Sequence, residues 1–596
     1  MSSSAVSVTP QAVSAGSTEA RLAQLADALS YAILAAGAAT MALAVYVAVL
    51  GHSKLPFWDE WMQIDFAVNE GPGHTLDWLW RQFNQHRVVV PKLFLLADLR
   101  WFRATQTSLI VSNLCLQLLH LTVLGWSLRV LGGWRGALWR TALGLVAFCL
   151  FSPSQWPNFV GGFTGLCNIL PPVFASFSVL GLLLYWRNSR EGGLRSSGWK
   201  YLLLCIAAAL GATFSLSNGN LVWPLLVLAA LLLRLRLAPI AAIVAVAAAG
   251  IGAFFYNYTV YITPSSLSSS AELIGLAKYI AVYFGSSWVT ANIRTAEVLG
   301  IMGFLVLAVI AWHMPSYFKA APAISVQFGA LLLFALATGI VTAPGRIVFG
   351  LDQAFSGRYQ SFALLFWCCL GVLLLGQLTF RGACGRFFLL SQVAVLGIML
   401  FAASKTEALL LKVRWHGLNV NLAAVALEVG APDNSQLAWA HSHASYPRSF
   451  VSFLRDHGLS VFTDPEPYLL GQPLNAEFRQ TSLEDCAGEV ESAVALTSAW
   501  PRSLRITGWA WDTRDREAPR AIIVTTDGII SGLGVAGDRR PRKLVSGQDA
   551  GDFTGFTAYV HDVSRSNTLD LYAASRKDAK AVCHIATINP ESMAIR

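Results

Sequence analysis

Residues 29 to 50 read LSYAILAAGAATMALAVYVAVL, 22 positions without a charged side chain. At about 1.5 Å per residue such a run crosses a hydrocarbon core of roughly 30 Å as a helix. Runs of similar character recur near 107–131, 138–152, 165–186, 200–217, 220–234, 238–256, 296–313, 323–342, 360–378 and 386–404. The expectation is therefore a polytopic α-helical membrane protein with about eleven transmembrane helices. Composition agrees: of 596 residues 55% are hydrophobic and 13% charged, with a mean hydropathy of +0.52, far from a soluble globular chain.

Residues 1–28 are Ser- and Ala-rich, with Arg21 their one basic residue, and lack the layout of a cleaved signal peptide. They read as a cytoplasmic tail before a retained first span. The formal charge of +9 does not indicate nucleic acid, because the basic residues sit in short loops between apolar runs and not on one stripe. Arg129, Arg135 and Arg140, then Arg187, Arg190, Arg195 and Lys200, then Arg234 and Arg236, then Lys319, then Arg381 and Arg386 fall on one side, which makes that side cytoplasmic. The segments 51–106, 257–295, 343–359 and the tail after 404 then share the outer side.

The outer tail divides by composition. Residues 405–483 mix helical and loop signals. From 484 to 596, SLRITGWAWD, RAIIVTTDG and GFTAYVHD are short β-branched and aromatic runs broken by Gly, Asp and Pro, which predicts a small β-sandwich-like domain. Cys486 and Cys583 lie just inside its two ends; an oxidising compartment would pair them, and two inert thiols are the alternative. Trp500, Trp509 and Trp511 could stack on sugar rings or fill the domain's core, and a docking or acceptor-positioning module is the favoured reading.

The first outer segment opens with LPFWDEWMQIDF, residues 55–66, in which Asp59 and Glu60 stand between Trp58 and Trp61. Acids beside a span are commonly solvated. Next to Phe57, Trp58, Trp61 and Met62, however, a carboxylate loses hydration and gains basicity, as a general base requires. NQHRVVVPK supplies Asn84, His86, Arg87 and Lys92, and GLDQAFSGRYQSF supplies Arg358 and Tyr359. Cations at headgroup level can neutralise a lipid phosphate or simply pair with headgroups.

A retained first span, a long first outer loop opening on an acidic DE pair within FWDEW (57–61), many further spans and a soluble outer tail together resemble the GT-C superfamily of integral-membrane glycosyltransferases. The resemblance covers roughly 29–404. It implies a GT-C-like transmembrane domain and transfer of a sugar from a polyprenyl-phosphate donor to a hydroxyl of a cell-envelope acceptor, lipopolysaccharide, another glycan or a protein. It further implies that Asp59 acts on the acceptor with Glu60 beside it, that Arg358, Tyr359, Arg87 and His86 meet the donor phosphate, and that Trp58, Trp61 and Asn84 contact sugar or acceptor. The implied setting is a bacterial inner membrane with the active site and tail on the periplasmic side. No WWDYG-like motif is present, which argues against an oligosaccharyltransferase acting on Asn. No certain cofactor follows, and divalent metal is left open, since no spacing among Asp59, Glu60, His74 and His86 is diagnostic; His441 and His443 form an HxH pair read as solvated.

The alternative class is a transporter or flippase for a lipid-linked or envelope glycan intermediate. Such proteins keep charges inside their spans, whereas the spans from 220 onward carry none in their interiors.

Overall fold

The computed structural model describes residues 13–69, 72–191, 198–261, 269–289, 291–380, 385–482, 485–498, 501–540, 552–564 and 566–590. Trp500, Arg195 and Arg381 lie outside the described residues. The chain forms two compact units. One holds the residues up to Ala48, Leu79–Leu93 and Ile110–Leu409; the other holds Val49–Trp78, Phe94–Leu109 and the residues from Leu410 onward. The first outer segment, expected to be a single loop, is thus shared between the two.

In the first unit, nine helices among the described residues are long and apolar enough to cross a membrane: Glu19–Leu50, Thr107–Leu131, Gly136–Val160, Gly162–Arg190, Leu237–Phe255, Ile293–Ala320, Pro322–Phe349, Gly357–Phe380 and Gly385–Ala403. Trp199–Thr213 and Ser217–Leu232 are apolar but shorter. A 15-residue helix such as Trp199–Thr213 rises only about 22 Å, so two of the eleven expected spans fall short of a full crossing. The first helix begins at Val13, so residues 13–28 continue the span's helix where a tail was expected.

The apolar runs become helices because each satisfies its own backbone, the requirement lipid imposes. Small residues then set the spacing between them. A Cβ on Gly37 would lie 2.6 Å from the Gly144 carbonyl oxygen, and one on Gly144 would lie 2.6 Å from that of Ile33, so the first helix and the Gly136–Leu150 helix touch through backbone. Leu237 and Trp312, each 82% exposed, and Leu231 present apolar surface outward, as a lipid-facing side does. Residues 257–295, expected as an outer loop, hold a helix, Ser270–Gly285, opened by a capping box between Ser269 and Glu272. Its Tyr279, Val282, Tyr283 and Phe284 are buried.

In the second unit, short helices within 406–477 lead into eight strands: β1 (Arg479–Gln480), β2 (Cys486–Ala495), β3 (Arg502–Asp512), β4 (Ala521–Thr526), β5 (Ile529–Asp538), β6 (Gly555–Val563), β7 (Leu569–Ala574) and β8 (Ala581–Ile588). They pair in the order β1-β8-β7-β4-β5-β6-β3-β2 as one sheet. The short runs predicted a small β-sandwich-like domain; they pair as one continuous sheet that curls. The Cys486–Cys583 disulfide joins β2 to β8, and a Cβ on Gly488 would meet Ile585 at 2.5 Å, so β2, at one end of the order, meets β8, next to the other end. Leu504, Ile506, Ile522, Val524 and Phe556 fill the inside of the curl, while Ile523, Leu533 and Tyr559 on the other face pack with Val420, Leu427 and Leu437. Ile522, Ile523 and Val524 are therefore all buried, because β4 is covered on both faces.

Candidate functional site

The residues singled out in the sequence separate by unit. Asp59, Glu60, Trp58 and Trp61 belong to the second; Asn84, His86, Arg87, Arg358 and Tyr359 belong to the first.

In the first unit, residues 81–88 form a tight turn in which Phe83 and His86 exchange backbone hydrogen bonds of 2.8 and 2.9 Å. Asn84 takes the left-handed conformation at its tip, φ 49°, which Asn tolerates better than most residues. Gln82 fastens the turn to Thr259: its amide donates to the Thr259 carbonyl at 2.6 Å, and the Thr259 N–H donates back at 2.9 Å. Arg87 is buried, and its guanidinium donates to the main-chain carbonyls of Phe254 (2.6 Å), Trp80 (2.7 Å) and Tyr256. Two of these acceptors lie at the end of the Leu237–Phe255 helix, so Arg87 satisfies carbonyls that the helix itself leaves open. Lys92, also buried, reaches the Arg81 carbonyl at 2.8 Å.

His86 is placed differently. The Ser217 backbone N–H donates to its Nδ1 at 3.3 Å, and the Ser217 hydroxyl lies 2.9 Å from the same atom. A ring nitrogen that accepts carries no proton, which puts the proton of the neutral imidazole on Nε2. Burial first, then the positive charges of Arg346 and Arg358, hold the His86 pKa down to about 3, so the ring is neutral at physiological pH. Arg346 ends the Pro322–Arg346 helix, and Arg358 sits in the single turn Gly357–Tyr359. Neither guanidinium is paired with a carboxylate among the described residues.

Around these cations lie polar groups without partners. The Tyr359 ring stacks on that of Tyr283 at 5.4 Å, and the Arg358 guanidinium carbon stands 5.5 Å from the Tyr359 centroid. Both tyrosines are buried, and neither hydroxyl has a hydrogen-bond partner among the described residues. Asn218, beside Ser217, gives its amide to Thr338 at 3.3 Å and leaves its buried Oδ1 unmatched. Buried polar groups are nearly always satisfied. A cluster that leaves several orphaned beside two unpaired cations has the chemistry of an anion site. Arg346, Tyr283 and Asn218 were not anticipated from sequence; Arg346, following Pro344 near a helix end, carried the same signal as Arg358 and was the most readable of them.

In the second unit, the acids start the Asp59–Asn69 helix, where negative charge favours the N-terminus. Trp58 enters with φ 51°, and its N–H donates to the Ala440 carbonyl at 2.8 Å. Glu60 is buried and accepts the Phe57 N–H at 2.9 Å, a reach back over one turn that caps the helix. Asp59 is half-buried. The two indoles differ: Trp61 is buried, its ring 6.0 Å from Phe450, and Trp58 is exposed. The apolar surround argued for the pair therefore falls on Glu60, and Asp59 keeps its carboxylate nearer solvent.

Further along this helix, Asp65 accepts the Tyr446 hydroxyl at 2.8 Å. The Tyr446 ring lies tilted against His441 at 4.9 Å, and the Phe57 ring meets His416 edge-on at 5.2 Å. The HxH pair, read as merely solvated, thus shares a neighbourhood with the first acidic helix. Across about 380 positions of sequence only tertiary structure could bring them together. No group of three or more His, Cys, Asp or Glu side chains among the described residues is arranged to hold a metal ion.

Among the described residues, nine helices long and apolar enough to cross a membrane, with a curled β-sheet, mark a polytopic helical membrane protein with a folded C-terminal region. The chain matches no protein-family model and no curated protein.

Proposed function

We propose that the chain is a membrane glycosyltransferase that moves a sugar from a polyprenyl-phosphate donor to a hydroxyl of a cell-envelope acceptor. The observation that supports it is the anion-competent cluster in the membrane unit: two guanidiniums, Arg346 and Arg358, without a carboxylate partner among the described residues, beside a neutral His86 and the hydroxyls of Tyr283 and Tyr359, which have no partner among the described residues. An amphipathic donor would carry its polyprenyl chain in the bilayer and its phosphate at that cluster. Arg87, whose donors go to main-chain carbonyls, has a structural part in this scheme, while Arg358, Tyr359 and His86 keep the phosphate role.

The acceptor oxygen attacks the anomeric carbon, the bond from that carbon to the phosphate oxygen breaks, and polyprenyl phosphate leaves with the electron pair. The acceptor proton passes to a carboxylate base, the role that the GT-C resemblance gives to Asp59. Glu60, occupied in the helix cap, is a positioning residue. Base catalysis of this kind contributes about 10²–10⁴-fold, and meeting the charge of the departing phosphate contributes at least as much. One displacement inverts the anomeric centre. The proposed setting is a bacterial inner membrane, with the reaction on the periplasmic face.

The test uses the full chain in liposomes with a radiolabelled polyprenyl-phosphate sugar and a preparation of envelope glycan. Arg346→Ala and Arg358→Ala proteins should lose transfer by about 10²-fold or more while remaining folded. Transfer unaltered in both would refute the phosphate assignment, and labelled lipid moved across the bilayer with no glycan product would identify a flippase.

A further inference from the structure

We infer that the outer face of the curled sheet, at Trp509 and Trp511, is a binding surface for a neutral saccharide. The inference stands on the β-sheet alone and does not depend on the sugar-transfer reaction.

From Leu504 onward strand β3 alternates. Leu504, Ile506 and Ala510 point into the buried core, which places Arg505, Thr507, Trp509 and Trp511 on the opposite face. The lower part of that face is already covered: Arg505 pairs with Asp433 at 2.9 Å, and the Tyr559 hydroxyl donates to the same carboxylate at 3.1 Å. In the upper part, Trp509 and Trp511 are each partly exposed. Neither indole belongs to a buried cluster, neither ring has an aromatic partner, and neither N–H meets an acceptor among the described residues. Two large aromatics that contribute to no core, half-buried on one strand, are the observation to be explained.

The register shows what surrounds them. Trp511 stands opposite Ala487 on β2; Trp509 stands between Glu489 on β2 and Gly555 on β6; the next row is Ser492, Thr507 and Thr557. No aliphatic side chain larger than alanine sits beside either ring in these rows, so the face would gain little from an apolar protein partner. Gly555 leaves room that Arg540 occupies. Its stem lies where a Cβ on Gly555 would fall, at 2.9 Å, and its guanidinium pairs with Glu491 and with Asp538. The result is two indole surfaces bordered by a guanidinium, three carboxylates and three hydroxyls.

Indole faces attract the C–H faces of pyranose rings, and the surrounding donors and acceptors match sugar hydroxyls. Charge narrows the ligand. Glu489, Glu491 and Asp538 still exceed Arg540 and Arg414, the latter lying over the Phe553 ring beside Gly537, so an acidic glycan, a phosphate or a nucleic acid would meet an excess of negative charge. Trp509 and Trp511 are about 7 Å apart along the strand, suited to neighbouring rings of one oligosaccharide.

The test presents the full-length protein in detergent micelles to a printed array of neutral and acidic glycans, then measures the best neutral hexose oligosaccharide and a heparin hexasaccharide by fluorescence polarisation. Saturable binding of the neutral probe, with heparin much weaker, is expected. Trp509→Ala and Trp511→Ala should each weaken it by about tenfold, and the Phe variants by about threefold or less. Thr557→Lys, which adds bulk and charge to the face without removing a core residue, should also cost about tenfold. It carries the test if a Trp→Ala variant fails to fold. No neutral glycan bound, heparin bound more tightly, or full binding by Thr557→Lys and the Ala variants would each overturn the assignment.

Discussion

The Asn158 side-chain amide, wholly buried, donates to the main-chain carbonyl of Arg358 at 3.3 Å and to the Ser361 hydroxyl at 2.8 Å. Two segments 200 residues apart are thereby locked together, and Gly357 rests so closely on Pro157 that a Cβ there would overlap the proline ring. The direction of the Arg358 side chain depends on this turn. Replacing Asn158 with Ala leaves buried acceptors unmatched, at about 1–3 kcal/mol. Asn158→Ala should therefore raise the KM for the polyprenyl-phosphate sugar more than it lowers kcat, with a fall in melting temperature. Asn158→Asp loses the donor but keeps the shape and should behave as Ala does. Unchanged KM in both would show that the turn holds itself.

The Cys486–Cys583 bond closes a loop with a sequence separation of 97 and ties β2 to β8. Each partner of the sheet order is otherwise an edge: β2 pairs only with β3, and β8 beyond β7 has only the two-residue β1. A cross-link over so long a loop stabilises the sheet by about 2–5 kcal/mol, chiefly through the unfolded chain. A Cys486→Ala, Cys583→Ala double variant should melt well below the parent, and reductant should lower the parent's melting temperature while leaving the variant's unchanged. Equal melting of parent and variant without reductant would remove the disulfide from the account of stability.

These two features also mark what was readable in the chain. Apolar runs became helices close to their expected bounds because each run satisfies its backbone locally. Glu272 and Lys278 interrupt the apolar run of the Ser270–Gly285 helix and so hide it, although Ser269 and Glu272 spell a capping box. His86 and Arg358 stood out as polar residues beside spans, yet nothing local distinguishes them from Arg87, whose donors go to carbonyls from residues 80, 254 and 256. Likewise, DE adjacent in sequence cannot tell which acid caps the helix. That difference arises from the left-handed turn at Trp58 and the position of Phe57 relative to Glu60.

The two acids should accordingly respond differently to replacement. Glu60→Gln preserves an oxygen to accept the Phe57 N–H and should retain transfer to within a few-fold. Glu60→Ala removes the cap and should cost about 1 kcal/mol or more of stability. Asp59→Asn keeps the fold and, on the proposed mechanism, should reduce transfer by about 10²-fold or more. The measurement is sugar incorporation at matched protein levels, with melting temperature recorded beside it. An Asp59→Asn protein of full activity would end the assignment of Asp59 as base.

A pH dependence follows from Glu428, buried in the Thr406–Val429 helix of the second unit. Burial, then the nearby carboxylates of Asp464 and Glu466, push its pKa up to about 8 against the opposing effect of Lys54 and Arg455. The folded protein holds this proton where the unfolded chain, with an ordinary carboxyl near 4.5, has released it. The stabilisation is complete below pH 4.5, falls as pH rises from there to about 8, and changes no further above that. The slope from this group approaches about 1.4 kcal/mol per pH unit within the window. Thermal unfolding of the parent and of Glu428→Gln between pH 5 and pH 9 checks it. The variant, which cannot ionise, should show the flatter curve and gain on the parent as pH rises, with the gap widest near pH 8 and above. Parallel curves would mean that Glu428 is charged in the folded protein, compensated by Lys54 and Arg455.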